Sequence, residues 1–459
     1  MENLKLKNSV LLAGAIASFS SSFMGSSMNI ALPAIQEEFS INAIMLAWLT
    51  TSYLLATAVA LVPAGKIGDI YGRKKTLLLG IILFTVASFF SGFAPSIHAF
   101  LIMRIIQGIG CAIQLTGGMA LLTSVFPPKE RGRAIGINVS AVYIGLSAGP
   151  FLGGILTQHL GWRSIFFVSV PFGLTAIIMI LKYIKDEWAD AKGQSLDIIG
   201  STIYGISLIA LIYGATLLPN KTGIILISVS FIGIIAFIKR QLTVKYPVFE
   251  VRLFKNNRLF TFSSIAALIN YSATTVVAFF LSLYLQYIKG FDPQTAGLVL
   301  IVQPILMAVI SPYSGRLSDK IEPGKIASLG MALTSIGLFV LVFLGENSLL
   351  VHIFIAQILL GTGFALFSSP NTNAIMSSVQ KQYYGIVSGS TSTMRLLGQM
   401  LSLATATVMF SIFIGNEKIT PQNYYLFLKS LKTSFLIFAC LCTIGIFFSY
   451  SRGKLRSKD

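Results

Sequence analysis

The feature that most constrains this chain is a stretch of about 20 apolar residues that recurs along all 459 positions with only short polar interruptions. A segment of that length and composition suits the hydrocarbon core of a bilayer. Such segments fall at 9–31, 44–64, 76–94, 98–122, 134–157, 164–182, 198–217, 222–238, 260–285, 294–314, 326–345, 348–369, 385–412 and 430–450. A soluble domain devotes about a quarter of its residues to charge, whereas here the share is 11% against 54% hydrophobic. No solvated surface can be made from that composition. The sequence therefore predicts an all-α polytopic membrane protein with fourteen spans. The first apolar run, after Lys5 and Lys7, is too long for a cleaved leader and lacks a clear small-x-small site, so it reads as a retained span.

Charge placement supplies the orientation. A net charge of +18 in a soluble chain would point to nucleic acid. Here the basic residues cluster in the short segments between spans, which is how a membrane protein sets its topology. With the N-terminus inside, 26 of the 34 Lys and Arg residues lie on inner segments and 6 on outer ones; Arg104 and Arg395 lie within spans. That bias predicts cytoplasmic N- and C-termini in a cell membrane, and it supports an even number of spans. The longest inner polar stretches, 183–197 and 239–258, are too short for a soluble catalytic domain. No nucleophile–base pair, phosphate loop or metal cluster is evident. Cys111, Cys440 and Cys442 sit in apolar segments without metal or redox spacing. The sequence thus implies no enzyme, cofactor, metal or nucleic-acid partner; its partners are the lipid bilayer and a small-molecule substrate, and the chain is expected to act as a monomer.

A weak repeat appears in the loops. "GKIGDIYGRKK" (65–75) follows the second span and "GRLSDKIEPGK" (315–325) follows the tenth. Six spans per half plus two extra give a division into 1–182, a linker pair of helices in 183–258, and 259–459. In the first loop Gly65, Gly68 and Gly72 permit tight backbone geometry, and Asp69 stands four residues before Arg73, in reach of an ion pair. This is a candidate conformational latch, with Gly315 and Asp319 as its counterpart; the plainer reading is a topology anchor. In the fifth span Gly145, Gly149 and Gly153 recur every four residues beside Pro150 and Gly154. They form a flat face for close helix contact, either as pure packing or as a gating hinge.

Polar stripes mark candidate cavity faces. At 100° per residue, Arg104, Gln107, Cys111 and Gln114 align on the fourth span, and Ser18, Ser22, Gly25 and Asn29 on the first. Gln357, Gly361, Phe364 and Ser368 align on the twelfth, and Ser388, Ser392, Arg395 and Gln399 on the thirteenth. Polar groups avoid lipid, so these faces turn to the bundle interior or to a cavity. Tyr53, Tyr143 and Asn270 are further candidates for a substrate pocket. Helix–helix hydrogen bonding is the competing explanation for any one Gln or Ser.

With these motifs in order on successive spans, the chain resembles the major facilitator superfamily, and within it the fourteen-span drug–proton antiporters. The likeness rests on "GKIGDIYGRKK", "LIMRIIQGIG" (101–110), "GLSAGPFLGG" (145–154), "GWRSIFF" (161–167), "YPVFEVRLFKNNRLF" (246–260), "SPNTNAIMSSV" and "MRLLGQ", and it covers nearly the whole length. The resemblance implies multidrug efflux by alternating access, drug resistance, antiport with protons as coupling ion, and a fifth-span motif associated with exporters. One departure matters. The first-span motif of that family carries an acid, in the style of "LDATIVNVALP", whereas this chain reads "FMGSSMNIALP" (23–33) with Met24 at that position. No acid falls within the spans given above. Proton relays are normally built from Asp, Glu or His, so carboxylate-based coupling lacks its residues. The field of Arg104 and Arg395 then favours anionic or neutral cargo, and an exporter or facilitator of such a metabolite is the alternative function.

Overall fold

The computed structural model describes residues 2–379 and 384–453. Lys381, Lys454, Arg456 and Lys458, counted above as inner charges, lie outside the described residues. The described chain is helical, as its apolar runs require. In lipid every backbone N–H and C=O must be satisfied within the segment.

The long helices are α1 (Glu2–Phe39), α2 (Ala43–Tyr71), α3 (Arg73–Ser91), α4 (Ile97–Val125), α5 (Pro128–Leu160), α6 (Ser164–Tyr183), α7 (Ile198–Thr216) and α8 (Lys221–Thr243). After a short α9 (Arg252–Asn256) follow α10 (Arg258–Leu283), α11 (Pro293–Leu300), α12 (Val302–Ser318), α13 (Pro323–Val342), α14 (Leu350–Ser377), α15 (Tyr384–Phe413) and α16 (Tyr424–Tyr450). A single π turn, Tyr284–Ile288, extends α10, and α11 with α12 makes one interrupted span, so that fourteen helical segments are long and apolar enough to cross a membrane. Several run past the apolar stretches read from sequence: the first span covers Lys5–Phe39 and the second Ala43–Tyr71. Glu37 and Glu38 thereby fall on the last turn of α1, and Asp69 on the last turn of α2.

The chain divides into two compact units. Unit 1 is Met1–Ser40, Trp48–Ala210 and Val229–Phe249; unit 2 is Ile41–Ala47, Leu211–Ser228 and Glu250–Asp459. Within unit 1, α1 packs chiefly on α5 and also on α6 and α4, while α3 packs on α4 and α6. Unit 2 repeats the pattern: α10 packs on α15, α16 and α14, and α13 packs on α14 and α16. The internal repeat hinted at by two loops is therefore written into helix pairing. Glycine makes the closest pairs possible in both. A Cβ on Gly117 would lie 2.9 Å from the backbone of Leu77 on α3, and one on Gly363 would lie 2.7 Å from the Gly330 carbonyl on α13. Without side chains at these points the backbones approach closely, which is how helices associate where lipid offers no hydrophobic drive.

Large apolar side chains such as Leu79, Phe90, Ile178, Ile232 and Val351 stand exposed on the outer faces, as hydrocarbon contact demands. At one end of unit 1 the "GWRSIFF" segment is held by Glu38, whose carboxylate accepts from Trp162 Nε1 (2.7 Å) and from Arg163. The opposite end carries residues 65–75 and is called here the basic end; in unit 2 the basic end carries residues 315–325.

Candidate functional site

At the basic end of unit 1 the chain passes from α2 to α3 through Gly72, whose φ of 123° is open to glycine alone among common residues. This turn sets Asp69 beside Arg73. The Asp69 carboxylate accepts from Arg73 Nε (3.0 Å) and Nη2 (2.7 Å). Arg73 also donates to Ser124 Oγ on α4 (2.6 Å) and pairs with Asp190 (2.8 Å). The polar segment after α6 lies along this loop as a strap. Glu187 accepts from the backbone N–H groups of Lys74 (2.8 Å) and Lys75 (3.3 Å), capping α3. Trp188 O accepts from Arg73 N, and Asp69 O from Ala191 N. Lys66 Nζ donates to Gln194 (2.6 Å). The sequence indicated the Asp69–Arg73 pair but not the strap. Its only trace was a cluster of acids, Asp186, Glu187 and Asp190, in a segment type otherwise rich in Lys and Arg.

Unit 2 builds the equivalent region differently. Asp319 accepts from Asn373 Nδ2 (3.2 Å), which also donates to Ser318 Oγ (2.8 Å). Gly315 lies against Ser369. The cation of this end is Arg452, just beyond α16 and 2% exposed. Its Nε donates to Ser449 O (2.7 Å) and Nη2 to Ser449 Oγ (2.7 Å). Its Nη1 reaches Ser263 Oγ on α10 (3.0 Å) and Asn371 Oδ1 on α14 (2.8 Å). Burial pushes its guanidinium down to about 10, with Glu322 acting in the opposite sense. The charge count places Arg452 among the inner residues and carries no sign of its burial. Asn371 and Asn373 both belong to "SPNTNAIMSSV", which thus supplies acceptor and donor at this end.

At mid-span in unit 1, Arg104 is fully buried. Its Nε donates to Leu49 O (3.1 Å), Nη1 to Gln107, and its guanidinium lies 4.3 Å from the centroid of the Tyr53 ring. Gln107 passes the chain on to Ser88 Oγ (2.7 Å), and Gln114 reaches Ala17 O (3.5 Å). Of the two settings this periodicity allows, bundle interior or cavity, Arg104, Gln107 and Gln114 take the first, turned into the packing of α4 with its neighbours. Periodicity locates a polar face but cannot say whether a helix or a cavity lies opposite it. Nη2 of Arg104 has no partner in that packing. Met24, at the position of the family's acid, is also fully buried. Asn29 and Tyr143 are half-buried. Gly145 and Gly149, both buried, present carbonyls to Ser26 Oγ (3.3 Å) and Ser27 Oγ (3.0 Å) of α1. Gly153 meets Ser27, while Pro150 and Gly154 are buried in the uninterrupted α5.

In unit 2, Gln357 is fully buried and spends its amide on α11 and α12, donating to Val299 O (2.9 Å) and accepting from Gln303 N (3.4 Å). Asn270 is fully buried too, and neither side-chain atom finds a partner. Arg395 and Gln399 are half-buried on α15, and Arg395 makes no ion pair among the described residues. Half-buried Tyr271, which sequence reasoning passed over, meets Ser368 through its hydroxyl (3.3 Å) and Phe364 edge-on. Among the described residues no three His, Cys, Asp or Glu side chains converge to hold a metal.

The chain matches the family model described as Major Facilitator Superfamily over residues 14–403 and 263–456. It is similar to a riboflavin transporter, RibZ, of Clostridioides difficile, 31% identical and covering 96% of this chain and 97% of the relative. It is similar to the multidrug resistance protein Stp of Mycobacterium tuberculosis, 30% identical over 82% of this chain and 71% of the relative. A tetracenomycin C resistance and export protein of Streptomyces glaucescens is 29% identical, over 88% and 76%. Among solved structures, a bacterial homologue of the lysosomal transporter Spinster superposes with a TM-score of 0.68 at 18% identity and 97% coverage of both chains. The xylose transporter XylE from E. coli gives 0.67 at 13%, covering 99% of each. At these identities the two structures speak to the fold alone.

Proposed function

The chain belongs to the Major Facilitator Superfamily, and from that premise we propose that it exports small amphipathic compounds, neutral or anionic, across a cell membrane by alternating access. The observation that carries the cargo preference is Arg395: half-buried on α15, without an ion-pair partner, beside Gln399. An arginine keeps its charge at any ordinary pH, so this face meets cargo with a permanent positive field and does not invite a cation. The export and resistance proteins among the relatives support efflux. Uptake or release of a vitamin is a second reading, favoured by the near full-length match to the riboflavin transporter; an uncharged fused-ring molecule suits the same polar and aromatic groups.

Arg104 then serves as a structural tie between α2 and α4. Its guanidinium is enclosed by a carbonyl, an amide and a ring, which leaves no face for cargo. Asp69 and Arg73 act as a latch whose breaking accompanies the change of access. Proton coupling, if present, would have to run through groups other than a mid-span carboxylate. The chain works as a monomer with both termini cytoplasmic.

The test is transport by the purified protein in liposomes, with riboflavin, an anionic dye and a quaternary ammonium dye as cargo, each with and without a pH gradient. Riboflavin or the anionic dye should move best, and Arg395→Gln should reduce the anion most. Robust proton-driven movement of the quaternary ammonium dye by the unmodified protein would overturn the reading.

A further inference from the structure

The two longest polar stretches between spans, 183–197 and 239–258, have work beyond the strap. Their ends come together at the basic ends of α7 and α8, within unit 1. Ser195–Ile199, with Arg240, Val244, Lys245 and Tyr246, line a groove of about 350 Å³.

Its floor is a settled ion pair. Asp197 is 7% exposed and accepts from Arg240 Nε (2.7 Å), Gln241 Nε2 (2.8 Å) and Gly200 N (3.0 Å), while Arg240 Nη2 closes the salt bridge (2.7 Å). The carboxylate is thereby consumed. Arg240 Nη1 has no partner among the described residues and remains available. On the rim stands Lys245, exposed, its ammonium 5.2 Å from the Tyr246 ring centroid. Lys66, from the latch loop, approaches the same ring at 5.7 Å. The groove therefore carries more positive than negative charge, with hydroxyl donors from Ser195 and Tyr246. Its other edge is greasy: Ile198 and Ile199, at the start of the seventh span, are 66% and 59% exposed.

Cations and hydroxyls beside exposed aliphatic side chains at the end of a span recognise one kind of molecule: a negatively charged phosphate with acyl chains attached. We propose that this groove binds the phosphate headgroup of an anionic phospholipid, Lys245 and Arg240 Nη1 meeting the phosphate while the chains run along Ile198 and Ile199. Basic pockets between spans bind such headgroups by the same electrostatics that draw Lys and Arg to anionic membranes. A free phosphate would satisfy the cations but leave the isoleucines in water, which favours the lipid. Because Tyr246 also meets Lys66, an occupied groove pulls on a lysine that otherwise holds Gln194 of the strap. Lipid composition would then bias the latch.

Native mass spectrometry of the full chain, released from detergent micelles doped with phosphatidylglycerol or with phosphatidylcholine, tests the site independently of transport. The unmodified protein should retain phosphatidylglycerol preferentially. Lys245→Gln should lower that retention about five-fold, the size expected for one cation near an anionic headgroup. Ser195→Trp, which fills the groove and leaves every charge in place, should lower it as well. Lys325→Gln, an exposed lysine of unit 2, should leave it unchanged. Equal retention of both lipids, equal losses in K245Q and K325Q, or no effect of S195W would overturn the proposal. Displacement of the lipid by millimolar inorganic phosphate alone would overturn the choice of a lipid over a free phosphate.

Discussion

The two basic ends of the molecule solve one problem with opposite chemistry. In unit 1, a partly exposed arginine is held by two carboxylates: the side chains of Arg73, Asp69 and Asp190 are 14%, 39% and 71% exposed. In unit 2, a buried arginine is held by a carbonyl, two hydroxyls and an amide. The helix pairing around them is the same. The two units share how helices meet but differ in the chemistry at their ends. Exposed ion pairs are weak and screened by salt, so the unit 1 clasp can open at small cost. A desolvated cation with neutral ligands is indifferent to salt and costly to break. The contrast supports the switching role proposed for the first and suits the second to bracing.

The largest effect is expected where the brace is removed. Arg452→Met leaves Asn371 Oδ1 and Ser263 Oγ buried without their arginine donor, while Ser449 Oγ keeps Ser328, at about 2–4 kcal/mol in total. Thermal unfolding in detergent should show a clear drop, and Arg452→Lys, which lacks the planar fork, should recover only part of it. An unchanged midpoint in both variants would refute the bracing role.

Asp69→Asn should act in the other sense. The pair it breaks is worth at most about 1 kcal/mol, so the protein should reach the membrane in normal amount with its unfolding midpoint nearly intact, while transport falls several-fold. Full transport would reduce the loop to a topology anchor.

Asp190→Asn should be milder, about two-fold in transport, because Asp190 is the more exposed partner. Its signature is ionic strength. Raising salt should change the rate of the unmodified protein and have less effect on the variant; parallel salt curves would detach the strap from the latch.

Acid should separate the ends as well. Asp197 is partly desolvated, which alone would raise its carboxyl, but the hydrogen bond from Arg240 and those from Gly200 and Gln241 outweigh this and hold it below the usual value. A depressed carboxyl stabilises the folded state above the unfolded-chain value of about 4 and loses that contribution as pH falls through the folded one. Hydrogen exchange, corrected for intrinsic rate, should therefore rise around 195–200 in that acid window before it rises around 445–453.

The smallest expected signal is none. Cysteines placed at Lys74 and Lys320 should both resist an impermeant thiol reagent added outside intact cells, since the proposed topology puts both loops on the cytoplasmic side. Rapid labelling of either would dissolve the premise that the two ends are counterparts.

How much of this was legible in the chain follows from what periodicity and charge encode. Apolar length placed the spans because hydrocarbon thickness is a one-dimensional constraint. The repeat in loops 65–75 and 315–325 was readable because Gly and Asp recur there at near-fixed offsets. The Asp69–Arg73 pair was readable because four residues are one helical turn. The Asp190 and Glu187 contacts were not, since they join positions more than a hundred residues apart. The burial of Arg452 was not legible for a related reason: Ser263 and Asn371, which converge on it, lie far away along the chain. The α4 stripe shows the complementary limit. Arg104, Gln107 and Gln114 do share a face, but whether a polar face turns to a cavity or to a neighbouring helix depends on partners such as Leu49, Ser88 and Ala17, which no window on α4 contains.

The seam between α1 and α5 has a bearing on how a transporter of this kind can change over generations. At Gly145 an added methyl would stand 2.7 Å from the Phe19 carbonyl oxygen, and at Gly153 2.7 Å from the Ser27 Cβ. Every available substitution enlarges those positions, so lineages cannot drift there. On the reading proposed above, a change in what is carried enters instead through half-buried neighbours such as Asn29 and Tyr143. Close contact and looser packing are thus interleaved on the same two helices, a residue or two apart.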